Sequence, residues 1–523
     1  LEQGAGRTFA SSLYINEGGR WVLPDFLVRG NGFAGGVKTG DPRADPKNYF
    51  LNSDPTADAG RNYLIAPTNK EGTDWFREIF KPASITSLQL SASGGSEKGN
   101  YFLSGNYFKN NGILIYNDYT RYQMRVNSTY NIKKVVRVGE DFNIAYQTTR
   151  GSIGNPGEGS TFMNALRMPQ LVSVYDINGY WAGPWGAGSN ANNPVAGQTR
   201  TQANNGYNVR LIGNVRAEVD LFRNFTAKTL FGIDMGLGMG GFYGFRNFEA
   251  TEINASNSMG RNTFSNRNWV WSNTLAYNRE FGGGDHRVSA LIGTEARHNF
   301  YEGFNANGNG LTFGDDPFYR ILTNTNSKTW SLGEYKGEFS VASQFAQANY
   351  VYQDKYLFSA TVRRDGVSRF INNPYGVFPA GSVGWRITKE DFMRNVSFVN
   401  ALKLRASYGV TGNNEIGGDY PGYANYRQDL SGTAYSIQGD PGAVTPGFAQ
   451  SSVANRDIRW ETTKLLNLGV DARLLNALDF TFEWYDRKTS DILWLVDLPS
   501  TQGNIGDLPQ NIGAMRNRGF DFQ

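Results

Sequence analysis

Asp479 and Glu483 lie four residues apart in an alternating segment, which puts two carboxylates on one strand face as a glycosidase pair requires. Arg487 continues that face, so ion pairing among polar neighbours accounts for both acids without catalysis. Gly236-Leu237-Gly238-Met239-Gly240-Gly241 matches the nucleotide fingerprint G-x-G-x-x-G. The residues after it, Phe242-Tyr243-Gly244-Phe245, open no helix that could hold a pyrophosphate, and a strand end is expected instead. Asp41, Asp45, Asp54 and Asp58, and separately Asp315 and Asp316, crowd loops without the closing Glu of an EF-hand, so solvated carboxylates are expected there. With no Cys and 2 His, the chain has no thiolate set and little material for an imidazole site. His286 beside a tight turn and His298 at a strand end are expected to be packing or surface residues, and no metal or cofactor is expected. Aromatic rings in polar loops are the stronger binding candidates, because flat faces stack on sugar rings or peptide side chains while Asn and Asp bond hydroxyls. Tyr180, Trp181 and Trp185 share one long loop, and Tyr420, Tyr423 and Tyr426 another. Packing of loops on one another, or under a lid, is the competing use of the same rings.

The elements that must position these residues follow from composition and period. The 523 residues are 39% apolar and 19% charged, ample for a large fold. No run approaches the ~18 apolar residues of a spanning helix, a test that a strand-built membrane wall escapes because it needs only ~9–11 residues per crossing, every second one apolar. A 14% aromatic content (28 Tyr, 34 Phe, 11 Trp) with 63 Gly favours many strands joined by turns. A net charge of +4 is too small to point to nucleic acid. Leu1 is not an initiator Met and Gln523 falls in an alternating segment, so both ends are expected to be cut.

From Tyr207 to Leu221, Tyr207, Val209, Leu211, Val215, Ala217, Val219 and Leu221 alternate with Asn208, Arg210, Asn214, Arg216, Glu218 and Asp220. Slipping that register by one residue would turn Arg210 and Arg216 to the apolar side, at roughly 2–4 kcal/mol each if that side is a bilayer midplane. The same grammar recurs in Ala401–Thr411, Leu466–Leu474 and Leu478–Arg487. About fifteen such strands are expected, near 85–93, 100–109, 119–132, 138–150, 206–221, 225–240, 264–281, 286–301, 338–352, 356–367, 377–388, 400–412, 459–474, 478–492 and 511–523. Short links (Lys133–Arg137, Phe222–Asn224, Gly282–Asp285, Gln353–Lys355) alternate with long ones at 151–205, 241–263, 302–337, 413–458 and 493–510. Between Ile387 and Asn400 a helical turn fits the short-link side. This parity belongs to an up-and-down antiparallel transmembrane β-barrel, an all-β fold with a wet or plugged lumen that accepts Arg, Glu, Asp, Asn and Thr. Residues 1–84, without clear strands, fit an extracellular loop region after a missing first strand, with 85–523 the partial barrel.

Longer motifs carry a family resemblance. They are Ser91-Ala92-Ser93-Gly94-Gly95-Ser96-Glu97-Lys98 before Tyr101-Phe102-Leu103-Ser104, Arg121 to Asn127, Arg363-Arg364-Asp365-Gly366-Val367-Ser368-Arg369-Phe370, and Tyr375-Gly376-Val377-Phe378-Pro379 leading to Gly384-Trp385-Arg386. Leu402 to Gly409, Thr411-Gly412-Asn413, Trp460-Glu461-Thr462-Thr463, Tyr485 to Thr489, Asp491-Ile492-Leu493, Asn511-Ile512-Gly513 and Asn517-Arg518-Gly519-Phe520 continue the series. In this order, over residues 74 to 523, they resemble the SusC-like (RagA-like) TonB-dependent outer-membrane transporters of Bacteroidota. The resemblance implies a multi-pass barrel of about 22 strands in the outer membrane, with a plug inside and an SusD-like surface lipoprotein over its mouth. It also implies coupling to the TonB complex through an N-terminal region, with plug and TonB box expected before Leu1 and roughly six closing strands after Gln523. Arg364, Asp365 and Arg369 match a family motif, and no transport chemistry is assigned to them. The expected function is active import of oligosaccharides or peptides, without catalysis. A non-transporting surface scaffold that keeps the barrel is the alternative, which a missing TonB box in the full-length gene would favour. A secreted polysaccharide-degrading enzyme would be extracted without detergent.

Overall fold

The computed structural model describes residues 14–51, 62–151, 157–186, 188–313, 316–428, 433–436, 439, 444–499, 501 and 506–523. Fifteen long strands form one antiparallel sheet: β1 (Ile85–Ser96), β2 (Gly99–Asn111), β3 (Asp118–Lys133), β4 (Val136–Arg150), β5 (Asn205–Phe222), β6 (Phe225–Gly244), β7 (Ser258–Phe281), β8 (His286–Asn309), β9 (Ser331–Tyr352), β10 (Tyr356–Val367), β11 (Tyr375–Arg386), β12 (Val399–Asn413), β13 (Glu461–Leu474), β14 (Leu478–Ser490) and β15 (Ala514–Phe522). Each pairs only with its neighbours in sequence, and β1 and β15 are the two edges. This is the meander that short turns dictate, because antiparallel strands need only a tight turn. In two of the three-residue links, Gln353 and Asp354 (φ 49° and 54°) and Leu475 and Asn476 (φ 54° and 55°) take left-handed conformations, and the N–H groups of Lys355 and Ala477 close the turns on the carbonyls of Tyr352 and Leu474 at 2.9 and 3.1 Å. Irregular pairing falls beside the short turns, at Asn131/Lys133, Asp220/Phe222 and Val399/Ala401.

The strands run further than alternation alone marked out. β7, β8 and β9 have 24, 24 and 22 residues, so the links expected at 241–263 and 302–337 shrink to 245–257 and 310–330. Those extensions on the long-loop side carry polar residues on both faces, so the period fades while backbone pairing persists. Ile387–Lys389 and Asp391–Met393 form 3-10 turns where a helical turn was expected.

Pairing carries one face intact from strand to strand. On the apolar face Leu90, Leu237 and Ile292 are 80%, 54% and 58% exposed, so no second sheet covers them. Aromatic rows border this face. Phe281, His286, Tyr352, Tyr356 and Trp385 follow one another across β7 to β11 at the short-turn end, with ring centroids 4.6, 5.0, 6.3 and 6.5 Å apart. Tyr107, Tyr122, Tyr146 and Tyr207 do the same across β2 to β5 higher up, at 5.2, 6.4 and 6.3 Å. On β7, Trp269 and Phe281 are separated by about 40 Å of strand, or about 30 Å of height at barrel tilt, the thickness of a hydrocarbon core.

The opposite face is ionic. Arg137, Glu218 and Lys228 stand directly opposite one another on β4, β5 and β6, with contacts of 3.3 and 3.1 Å. Arg210 pairs with Asp234 at 2.8 Å, Arg363 with Glu295 at 3.0 Å and Arg405 with Asp471 at 3.1 Å. All are part-solvated, so each contributes only about 0–1 kcal/mol and marks a wet interior.

Residues before β1 and in the β4–β5 link build a cap on the long-loop side. Its core joins Leu27, Trp75, Ile79, Val172 and Trp185. Three short helices, α1 (Trp75–Ile79), α2 (Thr161–Arg167) and α3 (Pro194–Arg200), are capped by Asp74, Ser160 and Asn193. Buried Asn193 also donates to the carbonyls of Val174 and Ala182, at 2.9 Å each, which ties α3 to the preceding loop. Here the expectation of no clear strands in 1–84 is corrected: Phe26–Gly30 pairs with both Phe33–Val37 and Leu64–Pro67, and Ile15–Glu17 with Arg20–Val22. These strands are too short, and one too rich in Gly, to show a period.

Candidate functional site

The two groups of loop aromatics occupy different places. Tyr180 and Trp181 line a cavity of about 830 Å³ with Tyr49, Phe245, Phe248 and Pro317. Asp176 shapes its edge, accepting from the Tyr49 hydroxyl at 2.6 Å and from the backbone N–H groups of Asn178 and Tyr180. Burial and this carboxylate push the Tyr49 phenol well above its ordinary range, so it stays a donor. Trp181 stacks on Tyr175 at 5.0 Å. Tyr180 is 55% exposed, whereas Trp185 is 2% exposed and gives its ring N–H to the Glu249 carbonyl at 2.6 Å. Trp185 therefore holds the cap together and presents no face to a solute. Arg200 closes the cavity floor with a two-bond clasp on Glu249, at 2.6 and 3.1 Å. Arg200, Glu249 and Arg261 had no local signal in the sequence, because their shared cavity exists only once distant loops meet.

Tyr420, Tyr423 and Tyr426 are 41%, 60% and 67% exposed. Their loop is anchored over the ionic face: a Cβ on Gly337 of β9 would come within 2.5 Å of the Asp419 carboxylate. Arg369 supplies the anchor. Its guanidinium bonds Asp419 at 3.0 and 2.8 Å, meets Glu415 at 3.0 Å and lies 3.8 Å from the Phe339 ring centroid. Phe370 and Trp460 pack edge-to-face beside it at 5.8 Å. None of the three tyrosines lines the cavity that holds Tyr180 and Trp181.

The other sequence candidates have structural employment. Gly236, Gly238 and Gly240 lie within β6 facing Asn266, Phe264 and Asn262, whose side chains occupy the space a Cβ would need. Glu483 bonds Arg405 and, at 3.2 Å, Asn467, while Asp479 is exposed 3.7 Å from Arg473. Asp41, Asp45 and Asp316 cap 3-10 turns. Asp54, Asp58 and Asp315 lie outside the described residues. His286 bonds the Tyr350 hydroxyl at 2.8 Å and His298 that of Ser340 at 2.9 Å.

A wall with an apolar, ring-bordered outer face, an ionic inner face and large loops on one side matches a known family model. Residues 165–523 match the TonB dependent receptor-like, beta-barrel family. The chain belongs to this family. Among relatives of this TonB-dependent receptor barrel, TonB-dependent receptor P3 of Formosa agariphila is 32% identical over 472 residues, 88% of this chain and 45% of the relative. TonB-dependent receptor SusC of Bacteroides thetaiotaomicron is 27% identical over 502 residues, covering 88% and 46%. The solved RagAB peptide importer in its closed-closed state shares the fold, with TM-score 0.74 and 24% identity over 87% of this chain and 49% of that one. The TonB-dependent receptor chain thus spans less than half the length of these curated relatives.

Proposed function

We propose that the full-length protein, lodged in the outer membrane with its long loops outside, imports oligosaccharides or peptides by TonB-dependent transport. The two-faced wall is the observation that carries this reading: a hydrocarbon-facing surface bordered by aromatic rows surrounds an interior of hydrated ion pairs that a polar solute can traverse. Capture falls to the exposed rings Tyr420, Tyr423 and Tyr426 over the ionic face, with Tyr180 and Trp181 in the cap cavity. An SusD-like lipoprotein closes the loops from above, and the TonB complex acts from the other side through the region preceding the barrel. Deleting the full-length gene should abolish growth on one polymer, and purified protein should bind fragments of that polymer. Unchanged uptake of every glycan and peptide tested would refute import.

A further inference from the structure

The apolar side of the wall also carries polar positions, and across β6 to β10 five of them line up in a row that does not suit hydrocarbon. Thr229, Asn273, Thr294, Gln344 and Arg364 are direct register partners across β6 to β10. Each stands two residues from an apolar neighbour on the same strand and face: Phe231, Trp271 and Leu275, Ile292, Ala346, and Val362. The next row towards the short turns is wholly apolar, Ala227, Leu275, Ile292, Ala346 and Val362, again in direct register. Small Ala227 and Ala346 recess that row, and together the two rows line a furrow of about 690 Å³. Trp271 borders its upper edge and donates its ring N–H to the Thr229 hydroxyl at 3.0 Å.

Charge decides what fits. Among the described residues Arg364 has no carboxylate partner, and its guanidinium lies over the Tyr375 ring, 3.9 Å from the centroid. Arg267, higher on the same face, is matched by Glu302 at 3.0 Å. An unmatched cation and four amide or hydroxyl groups are unfavourable against acyl chains and favourable against phosphate and ester oxygens. We infer that this furrow is a binding site for a single phosphate-bearing lipid, which sets its phosphate on Arg364, its linkage oxygens along Gln344, Thr294 and Asn273, and a chain on the apolar row. The row spans four strand spacings, about 19 Å, which is the reach of one lipid tail.

The inference rests on the membrane reading of the barrel, and its test separates the two. Full-length protein is extracted in mild detergent, shown to be folded by its heat-dependent electrophoretic mobility, washed, and examined by native mass spectrometry and lipid phosphorus assay. Wild type should retain one phosphate-bearing lipid per barrel; Arg364→Gln should retain about tenfold less, and Arg364→Lys an intermediate amount. Thr294→Leu combined with Gln344→Leu, which suits bare hydrocarbon, should fold at least as well and lose the lipid too. Equal retention by wild type and Arg364→Gln overturns the site, as does a lipid-free wild type whose Thr294→Cys variant cross-links to a second copy. Failure to fold in any detergent would overturn the membrane reading itself.

Discussion

Replacing Arg369 by alanine should release the tyrosine-bearing loop from the wall without unfolding the barrel. The guanidinium is 7% exposed and the Asp419 carboxylate 3% exposed, and they share two bonds of 3.0 and 2.8 Å. Removing one partner of such a buried pair costs about 3–5 kcal/mol, mostly the cost of a buried unpaired charge. The exposed Glu415 contact adds only about 0–1 kcal/mol. Opening of residues 414–428 should therefore become roughly 150- to 5,000-fold more frequent. Hydrogen exchange of the full-length protein reads this directly, with loss of protection confined to 414–428 and 367–375. Arg369→Met with Asp419→Leu, which leaves no orphan charge, should recover most of the protection. Unchanged exchange in Arg369→Ala, or a double variant as damaged as the single one, would show that the ion pair does not hold the loop.

On the short-turn side, Glu390 accepts from the Tyr356 hydroxyl, the Trp385 ring N–H and Lys355, at 2.7, 2.9 and 3.1 Å, and the first of these does most to hold its carboxyl down to about 2 from the usual 4.5. A depressed carboxyl adds stability above the unfolded value and loses it as pH falls through the folded one, so Glu390→Gln should lower the melting temperature at pH 6, with the gap closing between pH 4.5 and about 2. A gap constant across that window would contradict the arrangement. A Cβ on Gly183 would lie 1.7 Å from the Glu249 carbonyl oxygen, so Gly183→Ala should cost about 1–3 kcal/mol and loosen the Arg200–Glu249 clasp. Wild-type protection of 180–200 and 245–250 in that variant would show that the two loops are not so closely apposed.

The wall was legible because a period of two is a property of neighbouring residues, as in Tyr207–Leu221 and Leu466–Leu474, and most of each strand need not be regular for its existence to show. The polar upper ends of β7, β8 and β9 were missed because nothing there requires one face to be greasy. The site was less legible. Loop position marks a ring as available, but Tyr180 and Trp185 share a loop and differ in fate, because Trp185 meets Glu249, 64 residues further on. Arg369 was visible as a motif residue, while its partner Asp419, 50 residues away, is known only from the folded loop. The polar row of the furrow was equally hidden, since each strand contributes one residue and the pattern exists only across register.

Thr361 and Val362, adjacent on β10, face opposite sides of the wall, with Val362 in the apolar row beside Ile292 and Ala346. The folding free energy of the full-length protein in phosphatidylcholine bilayers should fall by about 2–4 kcal/mol for Val362→Arg and by less than about 0.5 kcal/mol for Thr361→Arg. Equal costs, or a larger one at Thr361, would contradict a wall with hydrocarbon on one side and water on the other.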